Sequence, residues 1–173
     1  MEKSEFEKII NEHGNALLNY CSYLTLDKEL AAELYQETLL KAFQIGGKLS
    51  KSSNQRCFLL GVATNIWKNL ISKKMRRNRI APVTDYEEHK EKISNSDNVL
   101  DKIIERELIS EVQKAVDRLP DKQRVVILLY YMQKMSTSDI ASVLHIPKGT
   151  VLSRLAKARE SLRKEMEERG YEI

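Results

Sequence analysis

A proline set between two helical patterns constrains this chain more than any other feature. Residues 136–159 read STSDIASVLHIPKGTVLSRLAKAR. Ser136 is placed to cap a short helix, with Asp139 three positions on as a variant of the capping box. Ile140, Ala141 and Leu144 recur at helical spacing and face inward. Pro147 has no amide donor and is tolerated at a helix start, so a second helix begins at about Lys148. Two short helices around a tight turn form a helix-turn-helix, whose second helix enters the major groove of DNA.

The facing of that second helix picks out its contacts. At roughly 100° per residue, Val151, Leu155, Ala158 and Leu162 share one buried stripe. Gly149, Ser153, Ala156, Lys157 and Glu160 lie opposite, with Thr150 and Leu152 on the two flanks. Ser153 and Lys157 therefore point most directly at DNA. Arg154 lies near the core edge, where it either reaches a phosphate or pairs with Asp139. From Lys148 to Lys164 there are six basic residues against one acid. The DNA-binding set on this helix is Lys148, Thr150, Ser153, Arg154, Lys157 and Arg159.

The remaining apolar residues also recur at helical spacing. They run from Phe6 to Leu24, and from Leu30 to Ile45 after a cap at Asp27. Gly46-Gly47 reads as a stop, and the polar stretch 48–55 as a loop. A third helix follows over about 56–74, and further helices from Val99 to Leu119 and from Asp121. Between them residues 80–98 turn polar and mostly acidic, around Pro82. The expected fold is all-α: a helical domain over 1–80, a flexible acidic linker over 81–98, and a helix-turn-helix domain over 99–173.

Within that frame two faces stand out. In the second helix Leu40 lies on the polar side, ringed by Glu33, Gln36, Glu37 and Gln44, with Lys41 beside it. A lone exposed leucine is ordinary, but this setting resembles a contact patch for another protein. The third helix ends in a run from Lys73 to Arg79 with five basic side chains in seven residues. That exceeds what a helix C-terminus needs and points to phosphate binding. Trp67 reads either as core, the favoured reading, or as a stacking platform for a base.

Composition narrows the function classes. A net charge of +4 and a pI near 9.0 permit nucleic-acid binding, and the two basic surfaces with an acidic joint between them suggest two DNA footprints on one molecule. Cys21 and Cys57 form no C-x-x-C pair, and His13, His89 and His145 are scattered, so no metal or cofactor is expected. Reduced thiols, no signal-peptide pattern and no apolar run near the ~20 residues of a membrane span place the protein in the cytoplasm. There is no phosphate-cradling Gly loop and no Ser/His/Asp or Cys/His constellation, which argues against an enzyme.

Leu119-Pro120, Arg124 and the S-x-x-[DE]-I-A-x-x-L-x-I-P-x-G-T-V-x-S-R-L-x-x-A-R run resemble the promoter-reading domain of bacterial extracytoplasmic-function (ECF) sigma factors. Family members often carry a basic residue where this chain has Leu152 and a larger one where it has Ala156. Residues 32–42 are similar to the segment by which sigma factors grip the clamp helices of the polymerase beta-prime subunit. Phe58 and Asn65 match the family's promoter-melting pattern. The resemblance implies a factor that binds core RNA polymerase, with the beta flap as a second contact, and directs it to promoter DNA, with an anti-sigma factor as a possible partner. The core-binding residues would be Glu33, Gln36, Glu37, Leu40 and Lys41. The −10 element would be read and melted by Phe58, Asn65, Lys68, Asn69, Lys73, Lys74, Arg76 and Arg77, and the −35 element by the second helix of the helix-turn-helix. The acidic linker would thread a basic polymerase channel or serve as a plain tether. The competing reading is a stand-alone helix-turn-helix repressor or activator, which needs a dimer surface.

Overall fold

The computed structural model describes residues 2–52, 54–80 and 100–171, with side chains described outside 74–80 and 100–106. Every regular element among the described residues is helical. The first half holds α1 (Lys3–Thr25), α2 (Lys28–Gln44), α3 (Gly46–Ser50) and α4 (Gln55–Ile80). The second holds α5 (Leu100–Arg118), α6 (Asp121–Ile127) with a π-helical turn at Leu128–Met132, α7 (Thr137–Leu144) and α8 (Lys148–Glu168). The acidic linker expected over 81–98 lies outside the described residues.

Local chemistry sets the boundaries. Asp27 accepts the Leu30 amide at 2.7 Å and starts α2, while Leu26 turns left-handed (φ 61°) to end α1. Ser136 accepts the Asp139 amide at 3.1 Å and donates to the Asp139 carboxylate at 2.7 Å, so the expected cap of α7 is present. His145 is left-handed (φ 53°) and closes α7. Pro147 stands at the N-cap of α8, where its missing amide costs no helical bond.

One expectation needs correction. The second helix does end just before Gly46-Gly47, at Gln44, but the stretch that follows is not all loop: Gly46–Ser50 form α3, and neither glycine takes a positive φ. Leu49 explains this, since it is fully buried and anchors α3 against α4, so tertiary packing overrides the loop-forming composition. The apolar face of α5 is only partly buried. Val116 and Leu119 enter the core, but Leu108, Ile109 and Val112 stay exposed.

Leu17, Tyr20, Leu24, Leu34 and Leu60 from the first half join Val126, Leu129, Ile140 and Leu155 from the second in one hydrophobic cluster. Tyr20 and Thr64 hydrogen-bond at 2.8 Å inside it. Burial lifts the Tyr20 phenol above its usual range and pushes the Cys21 thiol up to about 12. Trp67 is 8% exposed, which favours the core reading. The halves meet along a seam where α1 packs on the π turn and α4 on α7. Buried Arg124 donates to the Leu24 carbonyl (3.3 Å) and to Asp121 (2.6 Å). Gln133 donates to the Ala16 carbonyl (3.4 Å) and accepts from Arg56 (2.6 Å). Gly61 lies under Val143; an added Cβ would stand 3.5 Å from a Val143 methyl.

Candidate nucleic-acid interface

The core stripe of α8 fixes what the helix offers outward. Val151, Leu155 and Ala158 are buried, so Lys148, Ser153, Lys157 and Arg159 are exposed, and Thr150 and Arg154 are half-buried. The Ser153 hydroxyl donates to the Thr150 carbonyl at 3.0 Å and remains an acceptor outward. Arg159 is held in place. Its Nε donates to the Tyr131 hydroxyl at 2.8 Å, and its guanidinium lies 5.5 and 5.6 Å from the Tyr130 and Tyr131 rings. Sequence reasoning missed the tyrosine pair, which sits 28 residues from Arg159 with no pattern linking them. Asp139 is occupied by Ser136, and among the described residues no ion pair joins it to Arg154.

The predicted −10 face is on α4. Asn65, Asn69 and Lys73 are exposed, and Phe58 is half-buried against the core. Lys74, Arg76 and Arg77 lie on the continuing helix but outside the residues whose side chains are described. Lys68 departs from the expectation of a free cation. Its Nζ donates to the Leu144 carbonyl at 3.1 Å, at the C-terminal end of α7. Burial first, and then the nearby Arg154 charge, lower its pKa.

The third face lies on α2. Leu40 is 61% exposed among exposed Glu33, Gln36, Glu37 and Lys41, as its position on the polar side predicts. Phe43 is a further residue that sequence reasoning missed. It is 45% exposed and stands edge-on to Phe6 with ring centroids 5.2 Å apart. The signal was available: Phe43 follows Leu40 by three positions, one helical step along the same surface. The arrangement thus offers three exposed faces: an apolar patch within a polar ring on α2, and polar faces carrying exposed lysines on α4 and α8.

Known proteins match this layout. Residues 9–77 match the family model for Sigma-70 region 2, and residues 109–162 that for Sigma-70, region 4. The chain is 33% identical over 173 residues to the ECF RNA polymerase sigma factor SigL of Mycobacterium tuberculosis, covering 98% of this chain and 93% of that protein. It is 27% identical over 169 residues to the ECF RNA polymerase sigma factor SigW of Bacillus subtilis, covering 95% and 90%. The fold is similar to that of the sigma factor RpoE in complex with the anti-sigma factor NepR from Bartonella quintana. That match has a TM-score of 0.78 at 23% identity and covers 94% of this chain and 97% of that one. No described helix is long and apolar enough to cross a membrane.

Proposed function

This chain belongs to the ECF family of RNA polymerase sigma factors, and from that premise we propose how its surfaces divide the work. As a sigma factor it is a transcription initiation factor, not an enzyme: it binds core RNA polymerase and directs it to promoters. Residues 1–80 form the core-binding and −10 domain, 81–98 the linker, and 99–173 the −35 domain. The protein acts in the cytoplasm, where its polymerase is.

Leu40 and Phe43 seat in the polymerase beta-prime clamp helices, with Glu33, Gln36, Glu37 and Lys41 as the polar rim. Lys148, Thr150, Ser153, Arg154, Lys157 and Arg159 face the −35 element as duplex. Asn65, Asn69 and Lys73, with Phe58 behind them and the basic end of α4 beyond, face the −10 element. Asn65 takes the edge of an unpaired base there. Lys68 joins them only after leaving the Leu144 carbonyl. The beta flap and an anti-sigma factor are further partners; one structural neighbour is the sigma factor RpoE in complex with the anti-sigma factor NepR. A stand-alone repressor is not favoured, since the relatives' likeness runs through both halves.

The observation that carries the reading is Leu40, an exposed apolar side chain inside a polar face. Leu40→Asp should abolish capture of core polymerase while changing folding stability by no more than about 0.5 kcal/mol, because the site is on the surface. Pull-down with core enzyme, beside thermal unfolding, checks both halves of that statement. Native-like capture by the variant would refute the assignment.

A further inference from the structure

The outward surface of α8 has an apolar side. Leu152 is 50% exposed, one of the few large hydrophobic residues so exposed, and Ala156, the next turn along, is also exposed. Gly149, one turn before, has nothing within 4 Å of where a Cβ would stand, so the backbone there is bare. These three positions lie at helical spacing and bring no hydrogen-bonding side chain to a base edge. Around them are Lys148 and Lys157, exposed cations suited to the flanking phosphates.

The arginines of the proposed −35 set bring no unengaged guanidinium to this apolar side. Arg159 is tied to the Tyr131 hydroxyl and overlies two tyrosine rings, and Arg154 is half-buried on the opposite flank, near Lys68. Of the groups that base pairs present in the major groove, the thymine 5-methyl is the one that an aliphatic side chain recognises. We propose that Leu152 is a specificity-determining residue of this sigma factor, and that it packs against the 5-methyl group of a thymine in the −35 element. The proposal rests on the reading of α8 as the −35 helix. The positive rim provides charge complementarity to the duplex that brings the methyl group to the leucine. Exposure of Leu152 to solvent in the free protein is thereby relieved only on DNA of the right sequence.

The test removes a methyl group and nothing else. Holoenzyme reconstituted with the full chain selects its −35 sequence from a duplex library. Each thymine of that sequence is then replaced in turn by deoxyuridine, which pairs identically. For the wild-type factor, one replacement should lower duplex affinity about fourfold, the factor carried by one buried methyl group. Leu152→Ala should lose affinity for the thymine duplex and become indifferent to that replacement. Leu152→Arg should move the preferred base at that position towards guanine. If Lys157→Ala weakens duplex binding while every deoxyuridine replacement is silent with the wild type, the helix reads the −35 element but Leu152 does not read a methyl, and the inference is overturned. If Lys157→Ala and Leu152→Ala both leave duplex affinity unchanged, the reading of α8 falls, and the inference with it.

Discussion

The two helices assigned to DNA, α4 and α8, differ in how far each is free of its own protein. Both carry a buried apolar stripe and a polar outer face. On α8 the outer face is open: Ser153, Lys157 and Leu152 are exposed. On α4 the face is shared. Asn65 and Asn69 are open, but Lys68 is held by the Leu144 carbonyl of α7, and Gly61 lies beneath Val143 of the same helix. The helix-turn-helix thus leaves the outer face of α8 open while its other helix, α7, rests on α4. Under the proposed division of labour, α8 reads its DNA without rearrangement, whereas α4 gains the Lys68 cation only when the seam loosens.

The largest way to break this contrast is to cut the seam at its buried charge. Arg124→Ala removes donors to the Leu24 and Asp117 carbonyls and strands part of the Asp121 pairing. It should cost about 2–4 kcal/mol of folding stability, measured by denaturant unfolding. Acylation of lysines, read by mass spectrometry under native conditions, should rise at Lys68 and stay constant at Lys157. Equal changes at both would mean that the seam does not distinguish the two faces.

Next in size is the open face itself. Lys157→Ala should weaken binding of the upstream duplex by about 1–3 kcal/mol if the amine meets a base, or lower the salt slope by about one if it meets a phosphate. Binding isotherms at several salt concentrations separate these. An unaltered isotherm at every salt would remove Lys157 from the interface.

Smallest is the pH response of the shared face. Burial lowers the Lys68 pKa, so the folded state binds this proton less readily than the unfolded chain does. Stability therefore rises with pH between the folded pKa and the unfolded value near 10.4. Against Lys68→Gln, the wild type should gain slightly as pH rises towards the unfolded-chain value near 10.4. A gain in the opposite direction would contradict the desolvated setting of Lys68.

The same contrast explains which features are legible in the amino-acid sequence and which are not. The α8 face is legible because Val151, Leu155 and Ala158 repeat along one helix, and a helix's own periodicity fixes both sides of it. The caps at Asp27 and Ser136 are legible because cap and amide lie three residues apart. Leu40 is visible as an apolar residue in a polar ring. The seam leaves no such trace. Lys68 and the Leu144 carbonyl are 76 residues apart, and Arg56 and Gln133 are 77 apart; Lys68, Arg56 and Gln133 are ordinary surface-type residues until the fold brings them to these partners. The short α3 is hidden for the same reason, since only the distant packing of Leu49 overrides two glycines. Local signals recover elements and faces; the contacts that cover one of those faces are long-range.

The division of labour between the two helices is most directly tested with Asn65. Holoenzymes carrying wild-type factor, Asn65→Ala or Lys157→Ala are compared on a fully paired promoter and on one already mismatched at the −10 element. Open-complex formation is followed by permanganate reactivity, and upstream-duplex binding is measured separately. Asn65→Ala should leave upstream-duplex binding intact and reduce open complexes on the paired template, with the defect shrinking on the mismatched one, where unpairing is no longer required. Lys157→Ala should be impaired on both templates. If Asn65→Ala weakens upstream-duplex binding as much as Lys157→Ala does, the two helices do not divide duplex and unpaired DNA between them.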